Sequence, residues 1–223
     1  MTLDATGDDL GDDLDLELDV EDEFDDATDD QGSGPRHRGA YIEMLISSLL
    51  SLLASLVLSI DAVKLAANPA AELSCNISAK ISCGTVGVSW QASLLGFPNA
   101  FLGLIAEPVV ITIAVASLGG VRFPRWFMLS AQTIYTIGLA FAYWLFYEAY
   151  FVIGALCPWC LLVTVTTTLV FMSMTRVNIL DRNIRFPGAM HERVVRLLRL
   201  GVDTWSVLLI FAIMAAMIIT RYL

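Results

Sequence analysis

The sequence predicts an all-α integral membrane protein, and three observations predict it. Of the 223 residues 57% are hydrophobic, above the roughly 45–50% usual in soluble domains. The excess is gathered into blocks long enough to cross a hydrocarbon core, which takes about 20 helical residues. Aromatic residues mark several block ends, namely Tyr41, Trp126, Tyr147, Tyr150, Trp205 and Tyr222, and Trp and Tyr favour the headgroup level.

The chain opens on an acidic segment. Of the 23 acidic residues, 15 lie between Asp4 and Asp30, so the other eight face 13 basic residues and the remainder is net basic, although the whole chain carries −10. Such a run, poor in aromatics, cannot bury enough apolar surface to offset the entropy of ordering. Residues 1–37 are therefore expected to be a disordered tail, a solvated extension rather than a dock for a basic partner. No cleavable secretory signal is expected, because the first apolar run is full length and follows acidic rather than basic residues.

Five apolar spans follow, at about residues 41–66, 98–118, 127–150, 153–174 and 205–222. Arg36 and Arg38 precede the first, Arg122 and Arg125 separate the second from the third, and Arg176, Arg182, Arg185, Arg193, Arg196 and Arg199 separate the fourth from the fifth. Alternation puts all three segments on one side, and the positive-inside rule makes that side cytoplasmic. The expectation is a multi-pass protein of the cell membrane, with its N-terminus cytoplasmic and its C-terminus extracytoplasmic. The expected units are the disordered acidic cytoplasmic tail (1–37), a four-helix unit (38–176), a basic cytoplasmic linker (177–203) and a fifth transmembrane helix (204–223). Within the linker, "HERVVRLLRL" interleaves Arg193, Arg196 and Arg199 with Val194, Val195, Leu197 and Leu198, the pattern of a helix lying on an anionic membrane surface. Membrane lipid is thus an expected partner and nucleic acid is not.

The four cysteines fall on or near the outer side. Cys75 and Cys83 stand in the loop between spans one and two, and Cys157-Pro158-Trp159-Cys160 opens span four. That side is oxidising in bacteria and in the secretory lumen. At a helix N-terminus, unpaired N–H groups and the helix dipole favour a thiolate, and Pro158 suits the first helical position. Cys157 would face the rim and meet protein thiols. Cys160, nearly a turn deeper, would meet a lipid-soluble oxidant. Alone, the Cys75 and Cys83 spacing is equally that of a structural loop disulfide; with a second pair on the same side it permits thiol–disulfide exchange. A zinc site is disfavoured, since only one pair has the usual ligand spacing and no His lies near on that side; no metal is expected.

These marks resemble the vitamin K epoxide reductase family and its bacterial thiol-oxidising homologues over residues 41–174. They are a loop C-x7-C, Ser89 six residues after its second cysteine, Phe97-Pro98-Asn99-Ala100 opening span two, and C-x-x-C opening span four. Another quinone-linked, disulfide-forming four-helix family carries its C-x-x-C in the first outer loop instead. The resemblance implies a four-helix transmembrane bundle enclosing a quinone site, to which this chain adds a fifth transmembrane helix. It implies that Cys75 exchanges with a thioredoxin-like partner, that Cys83 passes electrons to Cys157, and that Cys160 contacts a quinone, menaquinone or ubiquinone. Asn99 falls where the family bonds a quinone oxygen, and Ser89 where it supports the site. Asn99 is alternatively a helix cap, and Ser89 a plain loop residue. Phe97, Phe101, Trp159 and Trp90 are candidates for a flat apolar pocket, or ordinary bundle aromatics. Vertebrate members carry Tyr where this chain has Thr164, which favours quinone reduction over epoxide reduction. No thioredoxin-like domain follows the fifth span, so the partner is expected to be a separate extracytoplasmic protein. The alternatives are a vitamin K epoxide or quinone reductase and a non-catalytic membrane protein with two structural disulfides. Asp61 and Glu148 read as solvated rim carboxylates; Glu107, well inside span two, receives no role.

The segment "VSWQASLLGF" is expected to dip into the interface and cover the bundle mouth, with the loop either moving or anchored so that Cys83 reaches Cys157.

Overall fold

In lipid, backbone polar groups must be satisfied within the chain, and the architecture follows from that. The computed structural model describes residues 38–222, apart from the side chain of Ala189. The acidic segment read above as disordered lies outside the described residues. Among them, five helices are long and apolar enough to cross a membrane. They are α1 (Arg38–Ala67), α3 (Ala100–Leu118), α4 (Arg125–Tyr147), α5 (Pro158–Leu180) and α7 (Val202–Tyr222). Between them lie a short α2 (Cys83–Gly87), a 3-10 turn (Trp90–Ser93), a π turn (Glu148–Ile153) and α6 (Gly188–Arg199).

α1 is central, packed on α3 and α5, and α5 in turn packs on α4. Its buried stripe is Ser47, Ser48, Ser51, Ser55 and Ser59, while Leu49, Leu50, Leu53, Leu56 and Ile60 face outward. Small residues let membrane helices approach closely, where packing replaces a hydrophobic driving force. Gly103 marks the tightest approach: a Cβ built there would overlap Ser55 Oγ and lie 2.8 Å from Ser55 Cβ. A single apolar cluster fills one half of the bundle, around Met44, Ile113, Tyr135, Val170 and Met174.

The fourth span starts later and ends later than residues 153–174. Ile153 closes the π turn, Gly154 takes a left-handed conformation (φ 72°), and the helix begins at Pro158. In the threonine-rich stretch the hydroxyls of Thr164, Thr166, Thr168 and Thr175 are satisfied by carbonyls four residues earlier, so they need no partner in lipid. The basic stretch forms α6 as expected, three residues earlier at its start. Its neighbours α5 and α7 reach Leu180 and Val202 and take residues from both ends of the linker.

Gly103→Ala should lower thermal stability by about 1–3 kcal/mol through overpacking between α1 and α3. The check is the melting transition of the purified protein beside Ser55→Ala, which relieves the same contact.

Candidate functional site

The site is built where the loop after α1 meets the turn before α5. The loop folds back on itself through Asn76, whose Oδ1 accepts from Ser82 Oγ (3.0 Å) and from the Gly84 backbone N–H (2.9 Å). Ser82 Oγ caps α2 by accepting from the Thr85 N–H (3.1 Å). The loop is then held against the C-x-x-C turn by backbone. Ser82 N–H donates to Leu156 O (3.0 Å) and Leu156 N–H donates to Lys80 O (2.9 Å), a parallel bridge between Ile81 and Leu156. The loop is anchored, the second of the two options open above.

This pairing brings all four cysteines together. Cys75 and Cys83 form a disulfide, with Cα atoms 5.6 Å apart. Cys157 and Cys160 are free thiols, and Cys157 Sγ lies 3.2 Å from Cys83 Sγ. Cys75, Cys83 and Cys157 are buried in one cluster with Leu65 and Leu73, against which Cys160 and Trp159 pack. Cys157 is the N-cap of α5, and its sulfur accepts from the Cys160 N–H (3.4 Å). Its pKa is pushed down, chiefly by the hydrogen bond from the Cys160 thiol and further by the backbone N–H groups of Cys160 and Trp159; burial and the Asp61 carboxylate oppose this.

Beside the sulfurs opens a cavity of about 610 Å³, within the roughly 300–1,000 Å³ usual for small-molecule sites. Cys83, Cys157, Cys160, Ser89, Phe97 and Asn99 line it. Asn99 stands at the N-cap of α3, but its side chain makes no capping hydrogen bond. Its Nδ2 donates to Gln91 O (2.6 Å), and its Oδ1 is buried without a partner. An orphaned buried acceptor is uncommon, and Asn99 also keeps one amide hydrogen unspent. Donor and acceptor thus both stand free on an otherwise largely apolar wall. That fits an aromatic ring carrying oxygens in either the quinone or the hydroxyl form.

Other expected residues fall differently. Ser89 Oγ donates to Val86 O (2.6 Å) at the end of α2, so it shapes the wall through the loop. Phe101 and Trp159 are not among the cavity's lining residues: Phe101 stacks on Phe97 (centroids 6.5 Å apart), and Trp159 lies against the sulfur cluster. Trp90 projects outward, 63% exposed, onto Trp144. The Val88–Phe97 stretch lines the cavity, contributing Gln91, Ala92 and Ser93 as well.

Two carboxylates read as solvated are engaged. Asp61 is only 6% exposed, lines the cavity, pairs with Lys64 (3.5 Å) and has Oδ2 3.9 Å from Cys75 Sγ. Glu148 Oε2 accepts from Gln91 Nε2 (3.0 Å), fixing the residue that holds Asn99. Asn76, Gln91 and this role of Asp61 were missed. The available signal was an acid inside a span, which is functional by default in membranes. Glu107, 3% exposed, lies away from this cavity; both its oxygens are 2.9 Å from the Tyr135 hydroxyl.

A model of the vitamin K epoxide reductase family matches residues 42–175. The chain belongs to that family. The matched block is the expected one moved by a single residue at each end. No curated protein sequence matches the chain. Membership makes it a membrane oxidoreductase of the quinone and thiol type, in a family that uses quinones as a general kind of cofactor. At the vertebrate tyrosine position, Thr164 spends its hydroxyl on Cys160 O (3.0 Å).

A lowered pKa means that the Cys157 thiolate forms at lower pH than that of free cysteine. Its ultraviolet absorbance should rise with a midpoint below that of an ordinary cysteine thiol, and Cys160→Ala, which removes the main donor, should move that midpoint upward.

Proposed function

We propose that the chain is a quinone-dependent thiol oxidase of the cell membrane that reoxidises a separate thioredoxin-like protein on the outer face. The observation that carries this reading is the 3.2 Å approach of Cys157 Sγ to Cys83 Sγ beside the cavity that Cys160 lines. The ten basic residues that flank spans one to five on one side support the orientation, with cysteines and C-terminus outside and the N-terminus inside.

The relay balances as follows. A partner thiolate attacks the Cys75–Cys83 disulfide at Cys75, and the partner's second thiol releases both cysteines reduced. Cys83 thiolate then attacks Cys157 of an oxidised Cys157–Cys160 pair, and Cys160 leaves as thiolate. Cys75 attacks Cys83, re-forms the loop disulfide and frees Cys157. The arrangement of one closed disulfide and two free thiols corresponds to this point in the cycle. A bound quinone supplies the two-electron, two-proton sink. Cys160 would touch it, Asn99 would bond one of its oxygens, and Cys157 would close again on Cys160.

Asp61 favours the closed form of the loop disulfide. A thiolate at Cys75 would stand 3.9 Å from its carboxylate, and like charges disfavour one another. Release of Cys75 as a thiolate, by a partner thiol or by reverse attack of Cys157 on Cys83, is thereby opposed. Closing that disulfide removes the charge conflict.

Cys160→Ala should reduce quinone reduction to background with every reductant, measured by quinone absorbance on purified protein. Cys75→Ala should abolish turnover with a thioredoxin-like dithiol protein while sparing turnover with a small dithiol. Normal quinone reduction by the Cys160 variant would falsify the assignment.

Asn99→Ala should raise the quinone KM about ten-fold, the worth of one hydrogen bond to a buried site, with little change in kcat. An unchanged KM would return Asn99 to a purely structural role through Gln91.

A further inference from the structure

A second cavity, of about 160 Å³, lies at the other end of the bundle, in the seam where α7 meets α1 and α5. Glu43 of α1, Ser173 and Arg176 of α5 and Asp203 of α7 line it, together with apolar residues that include Met172 and Phe211. None of these residues belongs to the sulfur site.

The polar groups are incompletely paired. Ser173 is 3% exposed, yet its Oγ has no hydrogen-bond partner. Asp203 Oδ1 is buried and equally unpartnered, while its Oδ2 lies 3.5 Å from Arg176 Nη1. That contact engages one guanidinium nitrogen, and among the described residues no acceptor takes the other donors of Arg176; its side chain is 36% exposed. Glu43 is exposed at the mouth. Buried polar atoms without partners are uncommon and call for an occupant.

Two carboxylates and one guanidinium stand beside an apolar wall. Its depth is that of the headgroups. Glu43 stands in the second turn of α1 and Asp203 in the first turn of α7, Arg176 stands near the end of α5, and Trp205, 71% exposed, is two residues from Asp203. Aromatic belts mark that level. An occupant there must carry a cation, an anion and an apolar chain.

We propose that this seam binds one aminophospholipid. Its ammonium would donate to the Asp203 and Glu43 carboxylates, its phosphate would take the free donors of Arg176, and the Ser173 hydroxyl would donate to a phosphate or ester oxygen. The acyl chain would run along Met172 and Phe211. The volume fits a headgroup rather than a whole lipid, which leaves the chain in the groove facing the bilayer. A choline headgroup has no N–H to donate, and a glycerol headgroup has no cation. The chemistry therefore selects ethanolamine.

The test is native mass spectrometry of the full chain in detergent with equal amounts of phosphatidylethanolamine, phosphatidylcholine and phosphatidylglycerol carrying the same acyl chains. Retention of phosphatidylethanolamine about ten-fold over the other two is expected, the scale of one charge-assisted hydrogen bond. Glu43→Gln and Asp203→Asn should each reduce that preference, with thermal melting run beside them to report folding. Should Asp203→Asn fail to fold for loss of its Arg176 contact, Glu43→Gln decides alone. Equal retention of the three lipids, preference for phosphatidylglycerol, displacement by free phosphoethanolamine at matched concentration, or an unchanged preference in Glu43→Gln would each overturn the proposal.

Discussion

Two backbone hydrogen bonds, between Ser82 and Leu156 and between Leu156 and Lys80, hold the chemistry of this protein together. Sulfur exchange needs two cysteines whose Cα atoms come within about 7 Å. A loop between two spans has no intrinsic reason to stay over a turn between two others. The parallel bridge supplies that reason in main chain, so it depends little on side-chain identity. It also sets register. Cys157 follows the bridged Leu156 directly, and Cys83 stands two places beyond the bridged Ile81. Because a strand's side chains alternate, a slip of one residue would turn the facing sulfur away.

The bridge is effective because both of its sides are already rigid. On one side, Asn76 and Ser82 close the loop on itself and the Cys75–Cys83 disulfide locks it. On the other, Gly154 turns the chain out of the π turn, and Pro158 starts α5 without wasting a donor. The same economy governs the membrane interior. Buried serines and threonines there bond mostly to their own helix, as Ser59 does to Ser55 O and Thr168 to Thr164 O. Their small size lets α1 and α3 approach at Gly103. Polar ties between helices are fewer: Tyr143 with Thr168 and Gln132 with Thr175 and Asn178 join α4 to α5, and the Tyr135 hydroxyl, 2.9 Å from both Glu107 oxygens, ties α3 to α4.

Much of this was legible in the sequence because membrane helices and cysteine pairs leave strong local signals. The apolar blocks gave the five spans, and spacing with family resemblance gave the sulfur pairs. Boundaries slipped where a local backbone event decided them, as at Gly154 and the π turn, which a hydropathy window does not resolve. The aromatics show a different limit. Phe97, in the loop before α3, lines the cavity and Phe101, inside α3, does not, because the loop and the helix meet the cavity differently. Asp61, Gln91 and Glu148 act only through contacts between distant segments. Nothing within a few residues of Gln91 announces that its carbonyl will hold Asn99 and its amide Glu148.

The fifth helix carries no motif, yet its outer end is tied into the site. Tyr150 donates to Met217 O (3.1 Å) and Tyr222 donates to Tyr150 O (3.4 Å). The Arg221 guanidinium lies 4.7 Å above the Tyr150 ring, and Lys80 Nζ reaches Arg221 O (3.4 Å). Tyr150 belongs to the π turn that leads into Cys157, and Lys80, whose carbonyl accepts from Leu156, precedes the bridged Ile81. α7 thus touches both segments that the bridge joins, from outside the four-helix bundle. Along the rest of its length it buries little, with only Val207 and Met214 enclosed. A helix held at one end by aromatic and cation–π contacts and otherwise loosely packed transmits position poorly unless its other end is also fixed. The Arg176–Asp203 pair is the contact present there. It is a partly exposed ion pair, a kind that contributes little alone. The stiffness of α7 as a brace for the bridge therefore rests on whatever completes that pair in the seam.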